Sequence, residues 1–304
     1  MSNEMTRRAF LASTTAAAAA MSVVGGSAAK ADTPTTPPVC VFSKHLQFLD
    51  YDALAKTCKE LGLDGVDLTV RAGGHVLPEN VAVDLPRAVD AVRGQGLDVP
   101  MITTRLNNGD DPDARPIFEA ASKLGIKYAR IGGHRYDGEG AILPQLEAFT
   151  EQLRGLVKIA EDFDVTLGYH NHSGFNNVGA ALWDLHRVYE TIGLDHFGSN
   201  LDAGHVTVEG AYGAWQINTR LIAPHVKMMA VKDFVWAGER PRWVPLGEGI
   251  VDTAAVLKIV RTAGFAGPIS MHFEYKVPSH DAMIEEVGNA AGVLRDALEQ
   301  AGYV

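Results

Sequence analysis

The chain contains little cysteine and little positive charge. Its 304 residues include two cysteines, Cys40 and Cys58, which both stand among apolar residues. This indicates buried small hydrophobic side chains, although a disulfide between them stays open. Lysine and arginine together number 27 against 37 aspartates and glutamates, which gives a formal net charge of −10. Because the chain is acidic, it lacks the positive field that nucleic acid or an anionic membrane requires. Neither is therefore expected as a partner.

Long apolar runs and biased composition are absent as well. Hydrophobic residues make up 46% and charged residues 21%, which excludes disordered, collagen-like and coiled-coil classes. The most continuous apolar run, near the N-terminus, is short and rich in alanine, below the roughly 20 strongly apolar residues that cross a bilayer. The length is normal for a single α/β barrel, so one folded domain is expected.

The first residues have the pattern of a targeting segment. Arg7 and Arg8 stand directly before an alanine-rich run that reaches Val24, and Ala29-Lys30-Ala31 supplies a small-x-small cleavage site. The pattern resembles a twin-arginine export signal, which predicts a periplasmic protein. The predicted division is a signal peptide over 1–31, a spacer over 32–38 and a folded domain over 39–304.

The rest of the chain repeats one unit, which is an amphipathic helix, a glycine or turn residue, and a short apolar strand. Glycines at the joints, such as Gly62 and Gly125, suit helix ends because glycine accepts the left-handed conformation. Asp84 and Asp252 stand where helix N-caps are expected. Eight strands are predicted, over 39–43, 64–70, 98–103, 126–132, 164–170, 197–202, 226–232 and 268–274.

The alternation of strands and helices predicts the fold class. Such alternation requires parallel strands with right-handed crossovers, and eight units in about 265 residues predict a single-domain α/β fold, a (β/α)8 TIM barrel. The alternative is a doubly wound open sheet. No glycine-rich dinucleotide fingerprint follows the first strand, where Ser43-Lys44-His45-Leu46 stands instead, and this absence favours the barrel.

Histidines and carboxylates gather at three predicted strand ends. Barrel enzymes place their chemistry at the carboxyl ends of the strands, and alternate side chains of a strand share a face. The residues are His170 and His172 from strand five, Asp202 and His205 from strand six, and His272 and Glu274 from strand eight. Two histidines and a carboxylate with open positions suit a divalent metal, so a site for Mn, Co, Zn or Mg is predicted.

Six motifs together resemble those of the xylose isomerase-like barrel superfamily of sugar (phosphate) isomerases and epimerases. They are 61–68, 169–172, Asp202-Ala203-Gly204-His205, Val231-Lys232-Asp233, 245–249 with Asp252, and 264–267. The resemblance covers nearly the whole predicted domain. It implies a metal-dependent enzyme that abstracts a proton next to the carbonyl of a carbohydrate.

The metal site of that superfamily matches this sequence in part. It takes carboxylates from strands five, six and eight and a histidine from strand seven, and only Asp202 matches outright. His170 and His272 stand at the two glutamate positions, and Ala230 stands at the histidine position. Three alternatives stay open: a site rebuilt from His170, Asp202 and His272, a site completed by Glu274, His172 or His205, or loss of the metal.

The sequence predicts a role for each polar residue near the strand ends. The predicted metal ligands are His170, Asp202 and His272, and the predicted catalytic residues are His205, Glu274 and Lys232. The residues predicted to bind substrate are His172, Arg71, His75, Lys44 and Trp236. Arg71 precedes a glycine pair and can hold a hydroxyl or an acidic group, unless the loop only needs a flexible backbone. Trp236 and Trp243 flank the loop after strand seven, where aromatic rings stack on sugars or pack as a lid. Arg130 is expected to form an ion pair with Asp67, Asp202 or Asp233.

The replaced glutamates bear on the reaction. Without one glutamate on each side of the sugar, isomerisation, β-elimination or hydration is favoured over strict two-base epimerisation. The leading hypothesis is a metal-dependent isomerase or epimerase-type enzyme for an unphosphorylated or keto-sugar. The alternatives are a keto-glycoside lyase or hydratase and, because of Ala230, a noncatalytic sugar-binding protein. An abasic-site endonuclease is disfavoured because it needs a basic face. The choice between monomer and homo-oligomer stays open.

Overall fold

The structure is a computed structural model that describes residues 35–193 and 195–303. The predicted signal peptide and the first residues of the predicted spacer lie outside the described residues. The export signal, its cleavage and the periplasmic location therefore stay predictions. Among the described helices, none has the length and apolar character needed to cross a membrane.

In the described part of the chain, eight parallel strands close into a barrel in the order β1-β10-β7-β6-β5-β4-β3-β2. They are β1 (Val39–Phe42), β2 (Gly65–Thr69), β3 (Asp98–Thr103), β4 (Tyr128–Ile131), β5 (Thr166–His170), β6 (Phe197–Asp202), β7 (Val226–Val231) and β10 (Ile269–Met271). Because β10 pairs with both β7 and β1, the sheet has no open edge. The predicted TIM barrel is confirmed, and the open-sheet alternative is excluded.

Helices fill the crossovers between the strands. They are α1 (Tyr51–Glu60), α2 (Val81–Gly94), α3 (Ala114–Lys123), α4 (Ile142–Glu161), α5 (Trp183–Ile192), α6 (Ala203–Glu209), α7 (Ala214–Ile222), α8 (Thr253–Thr262) and α9 (His280–Gln300). Asp252 caps α8 by accepting the N–H of Ala255, as predicted. Asp84 is not an N-cap, because a 3-10 turn over Pro78–Asn80 leads into α2 and places Asp84 inside its first turn.

Apolar side chains pack between the barrel and its helices. All four residues of β1 and all five of β2 are buried, as expected for parallel strands that are covered on both faces. Cys40 and Cys58 are free and buried among them, which confirms their prediction as small hydrophobic residues.

Two local features differ from the sequence prediction. The segment after β7 forms an antiparallel hairpin, β8 (Asp233–Ala237) and β9 (Arg240–Val244), where a loop was expected. The last barrel strand ends at Met271, earlier than the predicted boundary of 274. It ends there because the N–H of Phe273 donates to His45 Nε2 at 3.1 Å rather than to a neighbouring strand. The N–H of His272 still donates to the carbonyl of Val231 in β7 at 2.9 Å, so backbone pairing with the barrel ends between His272 and Phe273.

Candidate active site at the carboxyl end of the barrel

Three strand ends place the predicted metal ligands side by side. His170 is the last residue of β5, Asp202 is the last residue of β6, and His272 directly follows β10. The β6–β7 register sets Asp202 opposite Ala230, so the neighbouring strand offers a methyl group where the superfamily pattern has a histidine. The side chains that can bind a metal here therefore come from β5, β6 and the segment after β10.

These three side chains offer one potential ligand atom each, and the atoms lie within 4.8 Å of one another. His170 is 6% exposed, Asp202 is 0% exposed and His272 is 5% exposed. Among the described residues, His170 Nδ1 and His272 Nε2 have no hydrogen-bond partner, and Asp202 Oδ2 makes no hydrogen bond but lies 3.3 Å from Lys232 Nζ and 3.5 Å from His170 Nε2. Leaving a buried polar atom unpaired costs about 1–3 kcal/mol. A shared cation is the kind of partner that such a donor set fits.

The protonation states also suit a cation. Burial holds the pKa of His170 and His272 well below the ordinary value, and the Arg130 guanidinium lowers both further. Both rings are therefore neutral at neutral pH, which is the form that binds metals. Burial raises the pKa of Asp202, while the ammonium of Lys232, 3.3 Å from Oδ2, opposes that rise.

A second group, centred on Lys232, adjoins the first. The Lys232 Nζ lies 2.5 Å from His205 Nε2 and 2.8 Å from Glu274 Oε1, and its side chain is 1% exposed. Burial, together with Lys232, keeps the pKa of His205 well below its ordinary value. His205 Nε2 is therefore an acceptor, and its Nδ1–H donates to Ser173 Oγ at 2.8 Å. Asp202 fixes the same histidine by accepting its backbone N–H at 2.7 Å.

Glu274 is the most accessible acid of this group. Burial pushes the pKa of Glu274 up, but the charge and hydrogen bond of Lys232 outweigh it, so its pKa lies below the ordinary value. The carboxylate is ionised at neutral pH, and the side chain is 31% exposed. Lys232 itself is too buried to meet a substrate directly, so its predicted catalytic role would act through Glu274 and His205.

The aromatic neighbours of this group differ from the predicted choice. Trp243 in β9 places its ring 4.4 Å from Lys232 Nζ and 5.1 Å from the ring of His205. Trp236 in β8 is 43% exposed and packs edge-on against Phe234 instead. The tryptophan that the structure brings to the catalytic group is therefore Trp243, and the substrate contact of Trp236 stays a prediction.

A cavity of about 280 Å³ opens beside His170. Arg71 and His172, both predicted to bind substrate, line it, and the ring of His172 lies 3.8 Å from that of His205. His75 does not line this cavity, because its Nδ1 faces Ser43 Oγ at 3.1 Å. Lys44 is exposed after β1, with its charge acting on Glu274. The roles of all five substrate-binding residues stay predictions.

The ion pair predicted for Arg130 is wrong, since no acidic side chain among the described residues pairs with it. The hydroxyl groups of Thr103 and Ser270 donate to the two oxygens of Asp67 at 2.7 Å each. Asp202 is engaged by His205 and Lys232. The Arg130 guanidinium instead lies 5.4 Å over the ring of Phe42.

The carboxylate of Asp233, the third partner predicted for Arg130, binds backbone N–H groups instead. Its carboxylate accepts the N–H groups of Phe234, Gly247, Gly249 and Val251 at 2.8–3.1 Å. A Cβ on Gly249 would lie 2.1 Å from an oxygen of Asp233, so only glycine permits this approach. Asp233 thus fixes the loop after β9 against β8, next to Lys232.

Sequence reasoning missed two residues that hold the site. Asn171 accepts the backbone N–H of Asp202 at 2.7 Å, and its side-chain amide donates to the carbonyl of Asp202 at 3.3 Å. Ser173 holds Nδ1 of His205. Both lie beside the histidines of strand five, and that position was the only signal in the sequence.

Comparison with solved structures finds the same fold in two sugar epimerases and a dehydratase. An L-ribulose 3-epimerase superposes with a TM-score of 0.67 at 15% identity, over 88% of this chain and 96% of that one. A D-psicose 3-epimerase from Clostridium cellulolyticum H10, solved with D-tagatose, has a TM-score of 0.67 at 12% identity, over 86% and 99%. A probable 3-DHS dehydratase from Bacillus anthracis has a TM-score of 0.66 at 14% identity, over 82% and 97%. At these identities the likeness shows the fold.

Comparison with curated proteins gave no significant match. A family model, described as the xylose isomerase-like TIM barrel, matches residues 55–297. That span is most of the chain and includes all six predicted ligand and catalytic positions. The chain therefore belongs to the xylose isomerase-like TIM barrel family.

Proposed function

We propose that this protein is a metal-dependent sugar isomerase or epimerase-type enzyme that moves a proton next to a carbonyl group. The observation that carries the proposal is that three buried side chains, those of His170, Asp202 and His272, each offer a ligand atom within 4.8 Å of the others. Two neutral imidazoles and one carboxylate that leave coordination positions open suit a catalytic metal. When bound there, a divalent metal supplies Lewis-acid polarisation of a substrate carbonyl.

Glu274 is the proposed proton acceptor. It is ionised at neutral pH and partly exposed, and it lies 2.8 Å from Lys232, which holds it in place. Lys232 is a positioning residue that keeps Glu274 charged and His205 neutral. His172, whose exposed ring lies 3.8 Å from that of His205, is the proposed partner for the returning proton.

A carbohydrate substrate is supported by the structural neighbours, two of which are 3-epimerases of ketose sugars. The cavity beside His170, of about 280 Å³, lies at the lower end of the usual range for ligand sites, so a small ligand such as one sugar unit suits it. The substrate is proposed to be an unphosphorylated or keto-sugar that enters from the carboxyl end of the barrel.

A keto-glycoside lyase or hydratase is the second candidate. One observation favours it. Glu274 is the only carboxylate in the cluster that it forms with His172 and His205, and His170 stands where the superfamily pattern has a glutamate. A single carboxylate base suits abstraction followed by loss of a leaving group more directly than a symmetric exchange of protons between two glutamates. One neighbour in structure is a probable dehydratase.

Deuterium incorporation tests both candidates. The protein is incubated in deuterated water with aldoses, ketoses and 3-keto-glycosides, with and without added Mn, Co or Zn. We expect deuterium at a carbon next to a carbonyl, and we expect Glu274→Gln to lower the rate by about 10²–10⁴-fold, the usual contribution of a general base. The exposed Glu299→Gln is the matched control. Absence of deuterium across the panel, or an unchanged rate in Glu274→Gln, would contradict the proposal.

A further inference from the structure

The cavity beside His170 is lined by positive charge. Arg71, Arg105, Arg130 and Arg135 all contribute to its wall, and its lining residues include no aspartate or glutamate. This distribution is opposite to that of the whole chain, whose formal net charge is −10. The charges of Arg130 and Arg105 act on Arg71, so this part of the cavity wall favours a compensating interaction, whereas the Arg135 guanidinium donates to the carbonyl of Phe175 at 3.1 Å.

Carboxylates of the protein supply that interaction only at longer range: the charge of Asp67 acts on Arg71 and Arg130, and those of Asp202 and Glu274 act on Arg130. Within the described ranges, Arg71, Arg105 and Arg130 make no ion pair, and Arg130 Nη1 is buried without a hydrogen-bond partner. Asp67, the acid whose charge acts most strongly on Arg130, already accepts hydrogen bonds from two hydroxyl groups. Burial lowers the pKa of Arg71, and the charges of Arg130 and Arg105 lower it further.

An aromatic ring holds two of these arginines instead. Arg71 lies 5.2 Å and Arg130 lies 5.4 Å from the centre of the Phe42 ring. Cation–π contact fixes a guanidinium without neutralising it. The N–H groups of these arginines therefore stay available to a ligand. The same ring stacks at 4.6 Å on His272, one of the proposed metal ligands, so the arginines stand next to the reactive end of the site.

From this geometry we infer that the substrate carries an oxyanion, a carboxylate or a phosphate, bound by Arg71, Arg105 and Arg130. Guanidinium groups bind such groups through paired hydrogen bonds. This inference rests on the proposed function for the position of the sugar relative to His170. It adds the class of substrate, which is a charged sugar rather than a neutral one. A sugar acid agrees with the unphosphorylated substrate proposed above, and a sugar phosphate would replace that part of the proposal.

Binding measurements separate this inference from the reaction. Isothermal titration calorimetry of the full protein is run with D-glucuronate, D-glucose 6-phosphate and D-glucose, which share a ring and differ in charge. At least one of the two charged sugars should bind about tenfold or more tightly than D-glucose. Arg71→Gln should lose about tenfold in affinity for that charged sugar. Arg154→Gln, which changes an exposed arginine on α4, should keep wild-type affinity.

The two charged sugars distinguish a carboxylate from a phosphate as the bound group. Equal affinity for all three sugars, no binding of any of them, or an anion preference that survives in both Arg71→Gln and Arg105→Gln would overturn the inference. A double variant that melts like the wild type shows that lost affinity is not lost folding. Failure of the proposed function would appear instead as absent deuterium exchange while the preference for a charged sugar remains.

Discussion

The carboxylate of Asp233 should be the polar group on which the loop beside the site most depends. Each of its oxygens accepts two backbone N–H groups, those of Phe234 and Val251 on Oδ1 and those of Gly247 and Gly249 on Oδ2. Asp233→Asn has nearly the same shape but turns one oxygen into an NH2 group. Two backbone donors then face another donor, and the negative charge is lost.

The magnitude follows from these two contacts. Hydrogen bonds to a charged group contribute about 1.5–3 kcal/mol each, so two lost bonds cost roughly 3–6 kcal/mol. Water that reaches the loop recovers part of this, which leaves about 3 kcal/mol. For a domain of this size, 1 kcal/mol shifts the melting temperature by about 2–4 °C, so a fall of about 6–12 °C is expected.

Thermal unfolding followed by circular dichroism measures this effect. Asp252→Asn is the matched control, because Asp252 accepts one backbone N–H as a helix N-cap and asparagine caps about as well as aspartate. A melting temperature for Asp233→Asn within about 1 °C of the wild type, or an equal fall in both variants, would refute the reasoning.

Two further predictions concern the surroundings of the site. Burial first and Lys44 second lower the pKa of His45 from 6.5 to about 3, so the folded state holds it neutral. The stability this gives is complete above pH 6.5 and is lost as the pH falls toward 3. His45→Gln keeps an acceptor for the N–H of Phe273 without titrating, so its melting temperature should fall less between about pH 7.5 and pH 5, and an equal fall would contradict this. Trp243→Leu should slow deuterium exchange roughly three- to tenfold, because it removes the ring beside Lys232. Trp236→Leu tests the predicted substrate contact of Trp236, and we expect it to raise KM alone.

The sequence was sufficient to predict the barrel because its alternation of helix and strand is regular. Seven of the predicted strands lie within about two residues of the observed ones, an error usual for element boundaries. The hairpin of β8 and β9 was missed because β9 contains Pro241, a residue that is rare inside strands and typical of loops. The end of β10 depended on His45, which is distant in the sequence and shows no local signal.

The candidate site, like the fold, could be predicted from the sequence only in part. The meeting of His170, Asp202 and His272 could be predicted, since the carboxyl ends of barrel strands converge. The partners of Arg130 could not, because spacing does not show that other donors already occupy the nearby carboxylates. Arg105 was missed for a related reason: it follows β3 on a loop, and only the folded barrel places it beside Arg71.

Metal content tests the central claim most directly. The purified protein is dialysed against a chelator, reloaded with Mn, Co or Zn, and analysed by mass spectrometry of the bound metal. About one ion per chain is expected in the wild type, as for a single catalytic site. Asp202→Asn keeps the hydrogen bond that caps α6 but removes the charge, so it should fold and lose most of the metal, as should His170→Ala. A wild-type protein that binds no divalent metal, or variants that keep it fully, would contradict the account.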